Sequence, residues 1–350
     1  MAAPPQLLTE RQLNRALLAR QMLLERAATT VPRALDRMGG LQAQYAPAMY
    51  IGLWSRVEAL RRDDVDAALE QRTVVQGTLL RGTIHLVSAA DYWSLAIATR
   101  TAMRDWYSRA AWHNDPPELV AELAAQVREM LGRRSPQTRK ELQGSMTNVM
   151  WNGVGFWLNL VRVPPSGTWA RRRADIYATA EDWIGPAPGG LDFDTALDHT
   201  VTRYLTGFGP ATAAEIANWT GLKTAAAVAP SLERLRLVRF RAENGAELVD
   251  LPRAPRPDPD TPAPVRFLPV WDATLLAHAR RALLLLEEDR SRVFNTKTPH
   301  SVNTFLVDGQ VAGTWRYEKG RVVPVAFRPL DRRTMRDVEE EAARLAEFHA

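Results

Sequence analysis

Two glutamines one residue apart, Gln42 and Gln44, follow a double glycine at Gly39-Gly40, with Tyr45 and Tyr50 close behind. On a continuous helix, positions two apart diverge by about 200° and cannot converge on one atom. In an extended or loop segment they share a face, and that geometry is open to a chain that has just passed two glycines. Two primary carboxamides on one face can hold a single water through carbonyl and N–H contacts. A glutamine is no base in water, so the pair cannot drive a demanding proton abstraction. It suffices where the substrate carries its own driving force. An N7-alkylated guanine does: its ring is cationic, the base leaves easily, and the sugar becomes oxocarbenium-like. Catalysis then needs a placed water and electrostatic accommodation more than a strong base. The competing reading of this spacing is a polar helix surface.

Thr83 and His85 lie in a strand-like stretch, residues 73–87, where positions two apart share a face. They are candidates for catalytic support, weighed against a hydrogen-bonded structural histidine. Arg171, Arg172 and Arg173 form a run suited to neutralising phosphates, and Arg81 and Arg316 share that status, against the alternative of solvated charge. Asp91 is expected to cap a helix and Trp315 to sit in a core. Other chemistry is missing. There is no dinucleotide-binding glycine fingerprint, no phosphate-binding loop and no nucleophile elbow; Gly153-Val154-Gly155 reads as a helix break. The six histidines are scattered, with no metal pair at helical spacing, so neither metal nor cofactor is expected.

The elements that must position these residues follow from the rest of the chain. With 350 residues, 46% hydrophobic and 24% charged, it is an ordinary globular chain of two to four compact units. The net charge of +5 suits an anionic partner. The absence of cysteine excludes disulfides, thiol nucleophiles and cysteine-held metals. No apolar run approaches the roughly 20 residues of a membrane span; residues 282–286 are the oiliest stretch. With no signal core at the N-terminus either, an intracellular, cytoplasmic protein is expected.

Helices are expected at 7–27 with Thr9 as cap, from Pro32 to the double glycine, and at 63–71, followed by the strand-like 73–87. The pattern recurs as helices at 117–131 and 135–142, a turn at 164–167, and a strand over 169–179 carrying the arginine run. A third copy has helices at 193–205, 211–219 and 225–235 and a hairpin across Asn244-Gly245, with type I′ turn chemistry. Residues 253–264 are proline-rich and read as a linker. Beyond it lie strands with turns at Asp308-Gly309 and Lys319-Gly320, then a helix over 331–348. The expected architecture is α+β: three tandem winged-helix units at 1–90, 91–190 and 191–252, then a small C-terminal β-barrel with a closing helix at 265–350.

The stretch Leu41-Gln42-Ala43-Gln44, the segment Leu80-Arg81-Gly82-Thr83-Ile84-His85-Leu86-Val87 and the C-terminal Val307-Asp308-Gly309-Gln310-Val311-Ala312-Gly313-Thr314-Trp315 resemble the AlkZ-like family of winged-helix DNA glycosylases. The order and spacing of these blocks cover nearly the whole chain. The resemblance implies three tandem winged helices plus a β-barrel. It implies removal of bulky N7-alkylated purines, including interstrand crosslinks made by genotoxic natural products, and a role in DNA repair or antibiotic self-resistance. A Gln-x-Gln motif marks this branch against a Gln-x-Asp sister branch, and maps onto Gln42 and Gln44. The expected partner is double-stranded DNA containing alkylated purines, bound by a nucleoid-associated bacterial monomer. The alternatives are a non-enzymatic winged-helix DNA-binding protein or transcriptional regulator and, more remotely, a protein-binding module.

Overall fold

The structure is a computed structural model that describes residues 5–110, 114–277, 283–294 and 301–350. His113, His278 and His300, the first residues of the N-terminal stretch, and Ala282 of the oily run lie outside the described residues.

The first part runs β1 (Gln6–Leu8), α1 (Glu10–Arg20), α2 (Val31–Met38), β2 (Leu41–Gln42), α3 (Ala46–Trp54), α4 (Arg62–Glu70), β3 (Val74–Thr78) and β4 (Ile84–Ser88). Thr9 caps α1 through a reciprocal box with Gln12. The expected 7–27 helix is shorter at both ends: residues 6–8 pair, parallel, with a strand far along the chain, and α1 stops at Arg20, just before Met22 at φ 55°. Next come α5 (Ala89–Ser108), α6 (Pro117–Arg133), β5 (Gln137–Thr138), α7 (Arg139–Gln143), α8 (Asn148–Trp157), β6 (Leu160–Arg162), β7 (Ile176–Thr179) and α9 (Ala180–Ile184). Gly153 and Gly155 do not break a helix; both sit within α8. A Cβ on Gly153 would stand 2.7 Å from the Tyr107 ring, so the glycine lets α8 approach α5. The arginine run is not in a strand. Only Ile176–Thr179 pairs, and residues 169–175 form a loop.

Strands from these two stretches build one antiparallel sheet, in the order β2-β4-β3-β6-β7-β5. Its central joint pairs Gln76 with Arg162 and Gly77 with Val161, so the sheet crosses the boundary expected at residues 90–91. The third stretch is α10 (Phe193–Phe208), α11 (Ala213–Thr220), α12 (Ala225–Arg234) and the hairpin β8 (Val238–Ala242) and β9 (Glu247–Asp250). β8 takes β1 as its other neighbour. In the hairpin turn Gly245 has φ 83° while Asn244 stays out of the left-handed region, so the turn is not type I′, which needs both.

After the irregular 253–264 come β10 (Arg266–Leu268), α13 (Ala273–Leu276), α14 (Arg290–Val293), β11 (Thr304–Val307), β12 (Gln310–Glu318), β13 (Arg321–Ala326) and α15 (Arg332–His349). Asp308-Gly309 and Lys319-Gly320 have positive φ at both positions, the type I′ geometry. The expected barrel is not closed. β10 to β13 form an open four-stranded meander with β10 and β13 at opposite edges. Its apolar residues Phe267, Phe305 and Trp315 are covered by Val338 and Leu345 of α15 and by residues of α2 and α3, which removes the need for closure. The fold is therefore mixed α+β. Two fully buried ion pairs, Arg20–Asp250 and Arg56–Asp272, both at 2.8 Å, tie the first helices to the later regions. Among the described residues no helix is long and apolar enough to cross a membrane.

Candidate active site

Gly39 and Gly40 have φ of 75° and 83°, and a Cβ on Gly40 would meet Val87 at 2.8 Å. The turn they make delivers the chain to the edge of the sheet in extended form. Leu41 pairs with Leu86, Gln42 with His85, and the Ala43 N–H donates to the Ile84 carbonyl at 2.7 Å. Leu41 and Ala43 point inward and are buried, while Gln42 is half-buried and Gln44 exposed. The two glutamines thus share a face, and Gln42 Nε2 donates to Gln44 Oε1 at 2.6 Å. That bond leaves the Gln42 carbonyl as an acceptor and the Gln44 amide as a donor, on adjacent positions. Of the two tyrosines nearby, Tyr45 is exposed beside Gln44, whereas Tyr50 is buried and donates to Asp66, out of reach of solvent.

His85 is buried, with Nδ1 3.0 Å from the Thr83 carbonyl and 3.4 Å from the Thr83 hydroxyl. Burial, reinforced by the Arg81 charge, pushes its pKa down to about 3, so the ring is neutral. It lines a very small cavity together with Gln42 and Arg81. Arg81 has φ 55° and donates to the Trp219 carbonyl at 2.8 Å, joining the β3–β4 connection to the end of α11.

The arginine loop is held by two devices. The Ser166 hydroxyl accepts from the N–H groups of Asp175 and Ile176, at 2.6 and 3.0 Å. Trp169 inserts between Tyr50, Phe348 and His349, at ring distances of 5.6, 5.8 and 5.0 Å. So held, Arg172 reaches the Tyr45 hydroxyl at 3.3 Å and stands beside Gln44. Arg171 is different: both Asp175 oxygens accept from it at 3.0 Å. The Arg173 side chain is exposed. Arg316, on β12 in the C-terminal sheet, is paired with Glu318 at 2.6 Å. The structure therefore brings Gln42, Gln44, Thr83, His85, Arg81 and Arg172 to one end of the long sheet. It leaves Arg171 and Arg316 in local ion pairs.

Several polar residues here escape sequence reasoning. Arg162 of β6 donates to the Ala43 carbonyl, between the two glutamines, at 3.3 Å. Only the β3–β6 joint brings it there, and that pairing has no local signature. Asp91 does not cap α5. Ser88 does, accepting the Asp91 N–H at 3.3 Å, while the Asp91 carboxylate turns into α10. There it meets His199 Nε2 at 2.6 Å and Arg203 Nε at 2.7 Å. Burial would raise the Asp91 carboxyl, but the His199 hydrogen bond and the Arg203 charge hold it below its ordinary value. Ser88 itself donates to Asp36 at 2.5 Å. Among the described residues no group of histidines and carboxylates is placed to hold a metal ion.

Residues 35–348 match the family described as DNA glycosylase AlkZ-like. A curated relative, the interstrand DNA cross-link repair glycosylase of Streptomyces sahachiroi, is 24% identical over 364 residues, covering 93% of each chain. The solved structure of the Streptomyces sahachiroi DNA glycosylase AlkZ superposes with a TM-score of 0.82 at 21% identity, covering 98% of this chain and 97% of that one.

Proposed function

The chain belongs to the AlkZ-like DNA glycosylase family and is a DNA repair glycosylase, and we propose that it hydrolyses the N-glycosidic bond of cationic N7-alkylated purines at its Gln42–Gln44 pair. The single observation that carries this reading is the 2.6 Å bond between two carboxamides on one strand face, beside an open cleft and a neutral histidine. In the proposed reaction the C1′–N9 bond breaks and its electron pair passes to the purine, cancelling the ring's positive charge. The Gln42 carbonyl accepts from a water whose oxygen adds to C1′, and the proton it loses passes to solvent. The Gln44 amide orients the same water, and His85 shapes the surface behind Gln42.

DNA is the substrate. Arg172 and Arg173 are the proposed phosphate contacts, with Arg81 holding the β3–β4 connection against α11. The three helix-and-strand stretches serve as winged-helix units around the duplex, in a monomer that works on the cell's own chromosome without metal or cofactor. The named relative is a cross-link repair glycosylase, so bulky adducts and interstrand crosslinks from genotoxic natural products are the substrates we assign, in a self-resistance or repair role.

The test is single-turnover incubation with duplexes carrying one N7-methylguanine or one uracil, followed by alkaline cleavage at abasic sites. Release of N7-methylguanine and not of uracil is expected, because neutral bases need an acid or an anion-stabilising group that the pair lacks. Equal release of both bases would overturn the mechanism.

A further inference from the structure

The strand that carries the glutamine pair has little of its own to hold it. β2 is two residues long and lies at the edge of the sheet, where β4 is its one strand neighbour among the described residues. Past it the chain turns into α3, whose N-cap residue Tyr45 makes no side-chain capping bond. Yet Ala43, between the two glutamines, is pinned through both backbone groups. Its N–H donates to the Ile84 carbonyl at 2.7 Å, and its carbonyl accepts from Arg162 Nη1 at 3.3 Å. That carbonyl belongs to the same planar peptide unit as the Gln44 N–H. Holding it sets the direction in which Gln44 leaves the strand.

Arg162 reaches Ala43 from a firmer place. It lies on β6, with Gln76 of β3 opposite on one side and Tyr177 of β7 on the other. Two strands, β4 and β3, stand between β6 and β2, and only a long side chain spans that gap. Burial pushes the Arg162 pKa below its ordinary value, Nε is buried without a hydrogen-bond partner, and among the described residues no carboxylate pairs with the guanidinium. A partly buried cation without a counter-charge carries a desolvation cost, which a methionine filling the same space would not. The contact at Ala43 uses what a methionine lacks, a directed N–H donor. We propose that Arg162 is a positioning residue of the glycosylase reaction, fixing the Ala43–Gln44 peptide so that the two carboxamides stay aligned on one water. The inference rests on the glycosylase reading above and adds a group that acts through the pair without touching the substrate.

The test separates rate, affinity and the geometry of the pair. Arg162→Met keeps bulk and removes the donor, whereas Arg162→Lys keeps the charge with a shorter reach and no planar fork. With saturating enzyme, single-turnover release of N7-methylguanine should fall about 10- to 100-fold in Arg162→Met, the scale of a misplacement of about 1 Å. Arg162→Lys should fall between Arg162→Met and the native protein. Affinity for a duplex carrying the lesion on a 2′-fluorinated sugar, which resists release, should stay within about twofold, because no phosphate contact is lost. In Arg162→Ala, added methylguanidinium should raise the rate several-fold and methylammonium should not, since only the first restores the fork. In protein labelled with ¹⁵N-glutamine, the side-chain amide signals of Gln42 and Gln44 should move in Arg162→Met while that of Gln12, on α1, stays. Should Arg162→Met not fold, Arg162→Lys and its amide signals carry the same decision. A native rate in these variants, or unmoved Gln42 and Gln44 signals, overturns the proposal. So does a parallel fall of rate and affinity, which would make Arg162 a phosphate contact. If the native protein released no N7-methylguanine while the amide signals moved as expected, the catalytic reading would fail and the hold of Arg162 on the pair would stand.

Discussion

Strand β4 carries a polar cluster at each end, and the two are built on opposite principles. Near its start, His85 pairs across the ladder with Gln42, whose carboxamide meets Gln44 at the edge of a cleft. At its end, Ser88 joins Asp36, and Asp91 three residues on binds His199 and Arg203. The second cluster has the acids, the histidine and the perturbed protonation usually sought in an active site. Those groups engage one another between α2, α5 and α10, so their interactions hold helices together. The first cluster has two neutral amides, and one of them, Gln44, opens onto the cleft. Strong interactions that are saturated make a clamp, and reactivity goes with polar groups left available beside a cavity.

The largest effect that could break this contrast is at Asp91. Asp91→Ala would take the carboxylate from His199 and Arg203, and each hydrogen bond to a charged group is worth about 1.5–3 kcal/mol. Urea unfolding should show that loss, while excision per folded molecule stays at the native rate. Abolished excision at full stability would exchange the roles of the two clusters. Next in size are Gln42→Ala and Gln44→Ala. Each should slow single-turnover excision by about 10²-fold or more, the low end of what a positioned water-handling group contributes. The thermal midpoint should scarcely move, since surface changes are worth within about 0.5 kcal/mol.

His85 sharpens the comparison through pH. Its pKa of about 3 in the folded state lies below the ordinary 6.5. The unfolded chain therefore binds more protons between these values. The stability from keeping the ring neutral is full above about pH 6.5 and is lost as pH falls toward 3. For this one group the loss between about pH 6.5 and pH 5 is roughly 1.5 kcal/mol. His349, pushed by burial to about 4, acts in the same direction. Chemical denaturation across this range should show a steeper decline for the native protein than for His85→Gln, and parallel curves would mean a solvated His85. The smallest effect concerns the arginine loop. Replacing Arg172 and Arg173 together by alanine should flatten the dependence of log affinity on log salt by up to about 1.8, at about 0.9 per phosphate. Adding Arg171→Ala should change the slope little further, because Asp175 already neutralises that residue.

Much of this site is legible because its signals are local. Gly39-Gly40 announces a turn, alternation places Leu41 and Ala43 inside and the glutamines outside, and Thr9 announces a helix start. The Asp308-Gly309 and Lys319-Gly320 turns are equally plain. What escapes is whatever depends on distant partners. The joint of β3 to β6 sets residues more than 80 positions apart side by side, and with it Arg162 beside Ala43. The arginine run looks like a strand from its neighbours, but Trp169 pulls its segment into an aromatic cluster with the last turn of α15. Gly153 looks like a break until the Tyr107 ring occupies the space a side chain would need. The C-terminal strands look like a barrel until a helix covers the face that closure would have hidden.

The parallel pairing of β1 with β8 sets a clock on biosynthesis. Gln6 aligns with Phe240, about 230 positions later in the chain. At the usual ribosomal pace of about 5–20 residues per second, β1 waits roughly 12–46 s before its partner is made. During that interval residues 6–8, with the apolar Leu7 and Leu8, lack their sheet neighbour while attached to helices that can already be folding. A pause in translation between the first helices and β8 would lengthen that interval.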